Sequence, residues 1–325
     1  MRHSPRRTLA VALLATVSAH SPAGEPRPLP DFTVSDRLMP VDPMPERQTH
    51  WSHGAVTLTD VVYSTITGFR PLHLDLYRQT GVAAPRPLIV FVHGGGWAYS
   101  NPRAGAGFRD FPVVLANLAE RGYVVASIAY RLSGEAPFPA QLEDLQAAIR
   151  FLRGNAERFG IDGAQVGLWG MSAGAQLAAL NAVSCAAGTC VQGFVGWFGA
   201  YDIATYARDQ RDDTNVRTLF RCGAVACAAE VVDRASPIRY ADGTDPPALL
   251  IHGQDDTNAR SSQSERFAQQ LRAAGSTAEL VLIPGVQHGF IGPTEAATKD
   301  ALHLALTATF DFFDHVLKES PAATR

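Results

Sequence analysis

The chain has 325 residues, of which 46% are hydrophobic and 18% are charged. This composition is typical of a globular protein with enough apolar residues for one large core. Its 28 basic and 31 acidic side chains give a formal net charge of −3, so no surplus of positive charge points to nucleic acid as a partner. No apolar run is long enough to span a bilayer, and stable membrane insertion is not expected.

The first residues have the pattern of an export signal. Three arginines among residues 1–7 precede an uncharged apolar stretch at 9–17, which ends in small residues. This order is typical of a secretory signal peptide, so we expect residues 1–19 to direct export to the periplasm or out of the cell. Residues 20–54 contain seven prolines and are predicted to form a surface linker, because proline cannot continue a helix.

The rest of the chain, residues 55–320, is predicted to be one domain in which strands and helices alternate. The first two strands form an antiparallel hairpin, and the alternation that follows predicts a mostly parallel, eight-stranded sheet with helices on both faces. Residues 201–245 break the alternation, are rich in charge and are predicted to be a small helical cap over the site. The predicted strands lie at 56–63, 72–77, 88–92, 124–128, 166–169, 194–198, 248–251 and 278–283, and the helices at 113–121, 141–158, 175–183, 262–274 and 298–317.

Four cysteines occur as two C-x4-C pairs, Cys185 with Cys190 and Cys222 with Cys227. A metal site is the alternative to disulfides, but the spacing is not C-x2-C and no histidine lies near either pair. An even number of cysteines agrees with export. Because a C-x4-C spacing closes a short loop easily, we predict the bonds Cys185–Cys190 and Cys222–Cys227 among the three possible connectivities, and no metal site.

A candidate nucleophile lies between a predicted strand and a predicted helix. The sequence Gly-Met-Ser-Ala-Gly at 170–174 centres on Ser172. In this context G-x-S-x-G is typical of the nucleophile elbow of α/β-hydrolases, in which a tight turn exposes the serine. The N-terminus of the following helix directs free N–H groups at negative charge that forms beside the serine.

A serine nucleophile needs a base and an acid that orients the base, and in this fold the chain order is serine, acid, histidine. His288 lies in a glycine-flanked loop after the last predicted strand and is the candidate base. The other two histidines that follow Ser172 are His252, which ends a strand and is interpreted as structural, and His303, which falls in a helix. After the strand at 248–251, either of two adjacent carboxylates, Asp255 and Asp256, could orient the base.

Three consecutive glycines follow the predicted strand at 88–92, in the sequence His-Gly-Gly-Gly-Trp at 93–97. Glycine loses the most backbone entropy on folding, so three in a row are costly unless the backbone must approach a ligand closely. A flexible loop is the alternative. We interpret this segment as an oxyanion hole, whose backbone N–H groups stabilise developing negative charge.

These motifs resemble those of α/β-hydrolase carboxylesterases, in the hormone-sensitive-lipase-like and bacterial feruloyl-esterase-like branch. The similarity extends over residues 56–317. The resemblance implies that Asp256, not Asp255, is the acid of a triad with Ser172 and His288, and that the N–H groups of Gly95, Gly96 and Ala173 form the oxyanion hole. The matching segments are H-G-G-G-W at 93–97, Y-R-L at 130–132, P-A-Q at 139–141, E-D at 143–144, G-M-S-A-G at 170–174, W-F-G at 197–199, H-G-x-x-D at 252–256 and H-G-F at 288–290.

Together with the resemblance, the export signal predicts an exported serine carboxylesterase that needs no cofactor and acts on small-molecule or polysaccharide-linked esters. The segment 201–245 is charged and offers no long apolar lid helix to shelter a fatty acyl chain, so we expect short-chain or aromatic acyl groups. The alternatives are amide hydrolysis by the same triad, as in arylformamidases or peptidases, and a non-catalytic binding module on a hydrolase fold. Trp97 and Tyr99 follow the three glycines, and Trp197 and Phe198 end the predicted strand that comes after the elbow helix. We expect Trp97 and Trp197 to contribute to the substrate cleft, with core packing as the alternative. The oligomeric state is not predicted.

The export signal makes a direct prediction about the mature protein. We expect the chain to be recovered from the periplasm or the culture medium with an N-terminus that follows Ala19, because signal peptidase cleaves after small residues. Cell fractionation followed by N-terminal sequencing checks this. A cytoplasmic chain that still begins at Met1 would contradict it.

Overall fold

The computed structural model describes residues 47–209, 214–223 and 227–319. The predicted signal peptide and most of the proline-rich segment lie outside these residues. Within the described residues, nine strands form one sheet, in the order β1-β2-β3-β5-β4-β6-β7-β8-β9. The strands are β1 Arg47–His50, β2 Ala55–Ser64, β3 Leu72–Gln79, β4 Arg86–Val92, β5 Val124–Ile128, β6 Ile161–Met171, β7 Gly193–Trp197, β8 Ala248–Gly253 and β9 Ala278–Ile283.

Helices occupy most of the connections between these strands. The α-helices are α1 Phe111–Glu120, α2 Ala140–Gly154, α3 Ala156–Phe159, α4 Ala173–Val183, α5 Ile203–Asp209, α6 Thr214–Phe220, α7 Ala229–Arg234, α8 Ser262–Ala274 and α9 Glu295–Asp314. Short 3-10 turns lie at Ser52–Gly54, Pro237–Arg239 and His288–Phe290, and a π turn at His315–Glu319 follows α9. None of the helices in the described ranges has the length and apolar character needed to cross a membrane.

The sheet confirms the predicted α/β fold and its mostly parallel pairing. From β5 through β4 to β9 every neighbouring pair is parallel, and only the β1, β2 and β3 pairings are antiparallel. The prediction of eight strands missed β1. Its four residues, Arg-Gln-Thr-His, are all exposed, so the strand has no hydrophobic alternation and is formed only by pairing with β2.

Both faces of the sheet are buried, as the near-continuous apolar strands require. Along β4, Leu88, Val90 and Val92 join the core under α2, α4 and α8, whereas Ile89 and Phe91 join the core under α1 and α9. The period of two along a strand therefore divides consecutive apolar residues between two cores.

The cap predicted at 201–245 consists, in its described part, of α5, α6 and α7 between β7 and β8. Leu219 of α6 is buried, and its carbonyl accepts a hydrogen bond from the backbone N–H of Phe138 at 2.8 Å. The Gln176 amide of α4 donates to the carbonyl of Ala235 at 2.7 Å. The cap is thus attached to the body of the domain close to the start of α4.

The structure brings both predicted cysteine pairs to bonding distance. Cys185 and Cys190 follow α4, and Cys222 and Cys227 lie in the cap; the Cα atoms of the two pairs are 5.0 and 5.1 Å apart. The Cys185–Cys190 bond closes a short surface loop after α4.

A buried ion pair joins the end of β5 to α2 and unites two of the sequence motifs. The guanidinium of Arg131 donates to the Asp144 carboxylate at 2.7 Å, and the Arg131 backbone N–H donates to the same group at 2.8 Å. The Asp144 side chain is 3% exposed, whereas Glu143, which also reaches Arg131, is 60% exposed.

Asp144 and Glu143 are suited to a matched pair of substitutions, because they are adjacent carboxylates that differ in burial. We expect Asp144→Ala to lower the free energy of unfolding by about 3 kcal/mol, because it leaves the mostly buried Arg131 charge without its main partner. Glu143→Ala is expected to cost less than about 1 kcal/mol, since solvent screens that contact. Urea denaturation of both variants measures the difference, and equal effects would contradict this account.

Candidate active site

The predicted functional residues converge at one edge of the sheet. Ser172 follows β6, Asp256 follows β8, His288 follows β9, and the glycines of residues 94–96 follow β4. Because the carboxyl ends of parallel strands lie on the same edge, segments that are distant in sequence meet there.

Ser172 is held in an unusual backbone conformation between β6 and α4. Its φ of 53° and ψ of −119° lie in a region that residues other than glycine rarely adopt. Its N–H donates to the carbonyl of Trp197 at 2.9 Å. A side chain at Gly174 would collide with the carbonyl oxygens of Val92 and His93, so only glycine allows α4 to approach the end of β4 this closely. The turn exposes the Ser172 hydroxyl towards the cavity described below.

Hydrogen bonds connect the serine, histidine and aspartate in series. His288 Nε2 lies 3.0 Å from Ser172 Oγ, and His288 Nδ1 lies 2.7 Å from Asp256 Oδ2. The other carboxylate oxygen, Oδ1, accepts the backbone N–H groups of Asn258 and Ala259 at 2.8 and 2.9 Å. Asp255, the alternative acid, is exposed and has only a backbone contact in this loop. The arrangement allows His288 to accept the serine proton while Asp256 orients the ring.

The Asp256 carboxylate stays charged although its side chain is wholly buried. Burial alone raises its pKa, but hydrogen bonds from His252 and His288 outweigh burial and lower the pKa from 3.8 to about 2. A charged carboxylate is what the orienting role requires, because it stabilises the imidazolium that forms when His288 takes a proton.

The glycine loop after β4 turns tightly beside Ser172. Gly95 and Gly96 have φ values of 102° and 57°, and a side chain on Gly96 would collide with the Asn215 amide. No protein group in the described part of the chain accepts a hydrogen bond from the N–H of Gly95, Gly96 or Ala173. These three donors are therefore free for a ligand oxygen, as the resemblance implies.

His93, at the start of this loop, has a structural environment. Its ring stacks on Tyr130 with centroids 4.4 Å apart, and its Nδ1 lies 2.7 Å from the carbonyl of Gly94. Burial lowers the pKa of His93 to about 4, so the ring is neutral at physiological pH. The Tyr130 hydroxyl donates to the His93 carbonyl at 3.0 Å. These contacts fix the backbone from which the glycine turn begins.

A cavity of about 310 Å³ opens onto Ser172 and His288. Its aromatic and aliphatic walls include Tyr99, Phe198 and Ile291. The cap contributes Tyr206 and Asn215, which the sequence reasoning missed because no motif spacing connects them to the triad. Burial raises the pKa of Tyr206 to about 12, so its hydroxyl is protonated and can donate a hydrogen bond at neutral pH.

Two residues expected to contribute to the cleft lie elsewhere. Trp97 is 1% exposed, and its indole donates to Gln176 at 2.9 Å; Trp197 is 0% exposed, and its indole donates to Thr309 at 2.9 Å. Neither lines the cavity. Both are core residues, held by these hydrogen bonds to α4 and α9. Of the four candidate aromatic residues, only Tyr99 and Phe198 contact the cavity.

Because the pKa of Asp256 is lowered in the folded state, the free energy of unfolding falls as the pH falls. Because the folded pKa lies below the usual 3.8, the carboxylate stabilises the fold above about pH 4, and this contribution is lost as pH falls towards about 2. We expect Asp256→Asn to lower the free energy of unfolding by about 2 kcal/mol at pH 7 and by progressively less below pH 4. Urea denaturation across this range measures the effect.

Asp255→Asn is the matched control, since it changes the adjacent exposed carboxylate in the same way. We expect it to leave the pH dependence of unfolding unchanged. If both variants followed the same curve, the coupling assigned to Asp256 would be wrong.

Comparison with known proteins identifies the family to which this chain belongs. The BD-FAE family model matches residues 74–271, a range that contains Ser172 and Asp256 and ends before His288. Among curated relatives, the esterase LipC of Mycobacterium tuberculosis is 31% identical over 233 residues, which cover 67% of this chain and 56% of LipC. The esterase LipQ of the same organism is 29% identical, with 73% and 58% covered. The chain thus spans a little over half the length of these relatives.

Among solved structures, a truncated carbohydrate esterase from gut microbiota superposes with a TM-score of 0.67 at 27% identity, covering 80% of this chain and 95% of that one. The fold, the order of the motifs and the extent of the family match agree. The chain belongs to the BD-FAE family, within the α/β-hydrolase carboxylesterases.

Proposed function

We propose that this protein is a serine carboxylesterase whose triad is Ser172, His288 and Asp256. The observation that carries the proposal is the hydrogen-bonded series from Ser172 Oγ to His288 and on to Asp256, at 3.0 and 2.7 Å, beside a cavity and three free N–H donors. The esterase relatives support the choice of ester hydrolysis over a non-catalytic role.

In the acylation step, Ser172 Oγ attacks the ester carbonyl carbon as His288 Nε2 takes the hydroxyl proton. The carbonyl oxygen becomes an oxyanion, held by the N–H groups of Gly95, Gly96 and Ala173. Collapse of this intermediate breaks the bond to the alcohol oxygen, and His288 returns the proton to the leaving alcohol. An acyl group then remains on Ser172.

In the deacylation step, His288 takes a proton from a water molecule, whose oxygen attacks the acyl carbon. The second oxyanion occupies the same hole, and its collapse releases the carboxylic acid while His288 returns the proton to Ser172 Oγ. Each step uses only these residues and water, so the proposed reaction requires no cofactor.

The cavity supports short-chain or aromatic acyl esters as substrates. Its volume of about 310 Å³ is at the small end for ligand sites, and the cap helices present Tyr206 and Asn215 to it. A structural relative is described as a carbohydrate esterase, and this supports esters linked to polysaccharide as well as small molecules. We further propose that the enzyme is exported, on the evidence of the N-terminal sequence pattern.

An acyl-chain series tests this proposal. With p-nitrophenyl esters we expect kcat/KM to be highest from acetyl to butyryl or with aryl acids and to fall beyond about eight carbons, because longer chains exceed the cavity. Ser172→Ala is expected to lower kcat by about 10³-fold or more while circular dichroism stays unchanged. The matched control, Ser184→Ala, removes a serine at the other end of α4 and leaves kcat intact.

Three results would overturn the proposal. A Ser172→Ala variant that keeps a tenth of the wild-type kcat would remove this residue from the mechanism. A series that peaks at twelve carbons or more would indicate a lipase. Efficient cleavage of an unactivated peptide would indicate amide chemistry instead.

A further inference from the structure

The imidazole of His252 is a buried titratable group for which the proposed reaction has no use. It lies in β8, four residues before Asp256, and its side chain is 0% exposed. Nδ1 lies 2.7 Å from Ser264 Oγ on α8, and Nε2 lies 2.6 Å from the carbonyl oxygen of Ala259. Nε2 also lies 3.3 Å from Asp256 Oδ2. Both nitrogens therefore have protein partners, and one of them faces the acid of the triad.

The partners of His252 determine which nitrogen carries its proton. A carbonyl oxygen can only accept a hydrogen bond, so the nitrogen 2.6 Å from Ala259 must be the protonated one, Nε2. In the neutral ring Nδ1 is then unprotonated and accepts from the Ser264 hydroxyl. The Nε2–H donates to the Ala259 carbonyl, and Asp256 Oδ2 lies 3.3 Å from the same nitrogen.

Asp256 Oδ2 is the same oxygen that accepts the Nδ1–H of His288. The other oxygen, Oδ1, accepts two backbone N–H groups from the turn that follows. His252 also contacts this turn, at the carbonyl of Ala259 and at the carboxylate itself. Rotation of the carboxylate away from His288 would break the contact with His252.

We propose that His252 is a positioning residue, which uses its Nε2–H to hold the Asp256 carboxylate in the orientation that His288 requires. The inference rests on the proposed function, since its effect is exerted on the esterase triad. His252 does not line the cavity, so it acts on the rate of the chemical step and not on substrate binding.

Two substitutions of equal polarity separate positioning from structural support. In His252→Gln the side-chain nitrogen reaches the position of Nε2, whereas in His252→Asn it reaches only the position of Nδ1. We expect His252→Asn to lower kcat for p-nitrophenyl acetate by about 10- to 100-fold with KM changed less than about twofold, as the loss of one hydrogen bond to a charged group predicts. His252→Gln is expected to stay within about threefold of wild type.

Ser264→Ala is the control for the structural alternative. It removes the partner of Nδ1 but leaves the Nε2–H in place, so it perturbs the same buried ring without breaking the contact with Asp256. We expect a lower unfolding temperature and a kcat close to wild type. In an Asp256→Asn background, His252→Asn should have no further effect on kcat, because the group that it positions is absent.

Histidine ¹⁵N NMR of the wild-type protein is a test that needs no variant to fold. We expect Nε2 of His252 to carry a proton, directed at the Ala259 carbonyl, and the downfield Nδ1 proton of His288 to be observed. A His252 ring without a proton on Nε2, or equal kcat values for the Gln and Asn variants, would overturn the inference. Either outcome would leave the proposed esterase activity unaffected. A wild-type protein without esterase activity would instead overturn the proposed function, and the NMR result would still hold.

Discussion

The structure of the site depends on the close approach of α4 to the end of β4. The parallel register aligns Val92 of β4 with Gly170 of β6, so the glycine loop and the serine turn leave the sheet side by side. Gly174 then packs against the carbonyls of Val92 and His93 with no room for a side chain. Gly94 in turn lies against Met171 and Ser172, so the glycine loop and the start of α4 are direct neighbours.

Asp256 is held in place by different interactions from those that hold Ser172. Asp256 is buried by its loop, and its charge is stabilised by two backbone N–H groups and two histidines. A buried carboxylate without such donors would become neutral. Ser172 is thus placed by steric constraint on the backbone, whereas Asp256 is placed by hydrogen bonds that satisfy a buried charge.

The cap contributes part of the cavity wall. It is inserted between β7 and β8, and it brings Tyr206 and Asn215 to the cavity, where the Asn215 amide occupies the space beside Gly96. The inserted segment thus adds to a wall that the strand-end loops of the fold already form.

The parts of the protein that sequence alone could predict are those encoded locally. The strand–G-x-S-x-G–helix order, the glycine run after β4 and the position of His288 after β9 each follow from neighbouring residues, and the alternation of strands and helices predicted the mostly parallel sheet. The resemblance to a family selected Asp256 over Asp255. The edge strand Arg47–His50 was missed, since its exposed polar residues have no pattern of their own.

Only the tertiary structure decided where side chains point and which distant groups meet. Trp97 and Trp197 lie next to cavity residues in sequence, yet both are buried in the core, because local backbone angles and the packing of α4 and α9 set their directions. The approach of Tyr206 and Asn215 to the cavity joins segments that share no spacing rule. The contact of His252 with Asp256 lies within the H-G-x-x-D motif, but it depends on how the chain turns after β8. The sequence determined which chemical groups the strand ends carry, and packing determined their partners, since contacts across a core depend on the whole set of neighbours and not on the adjacent residues.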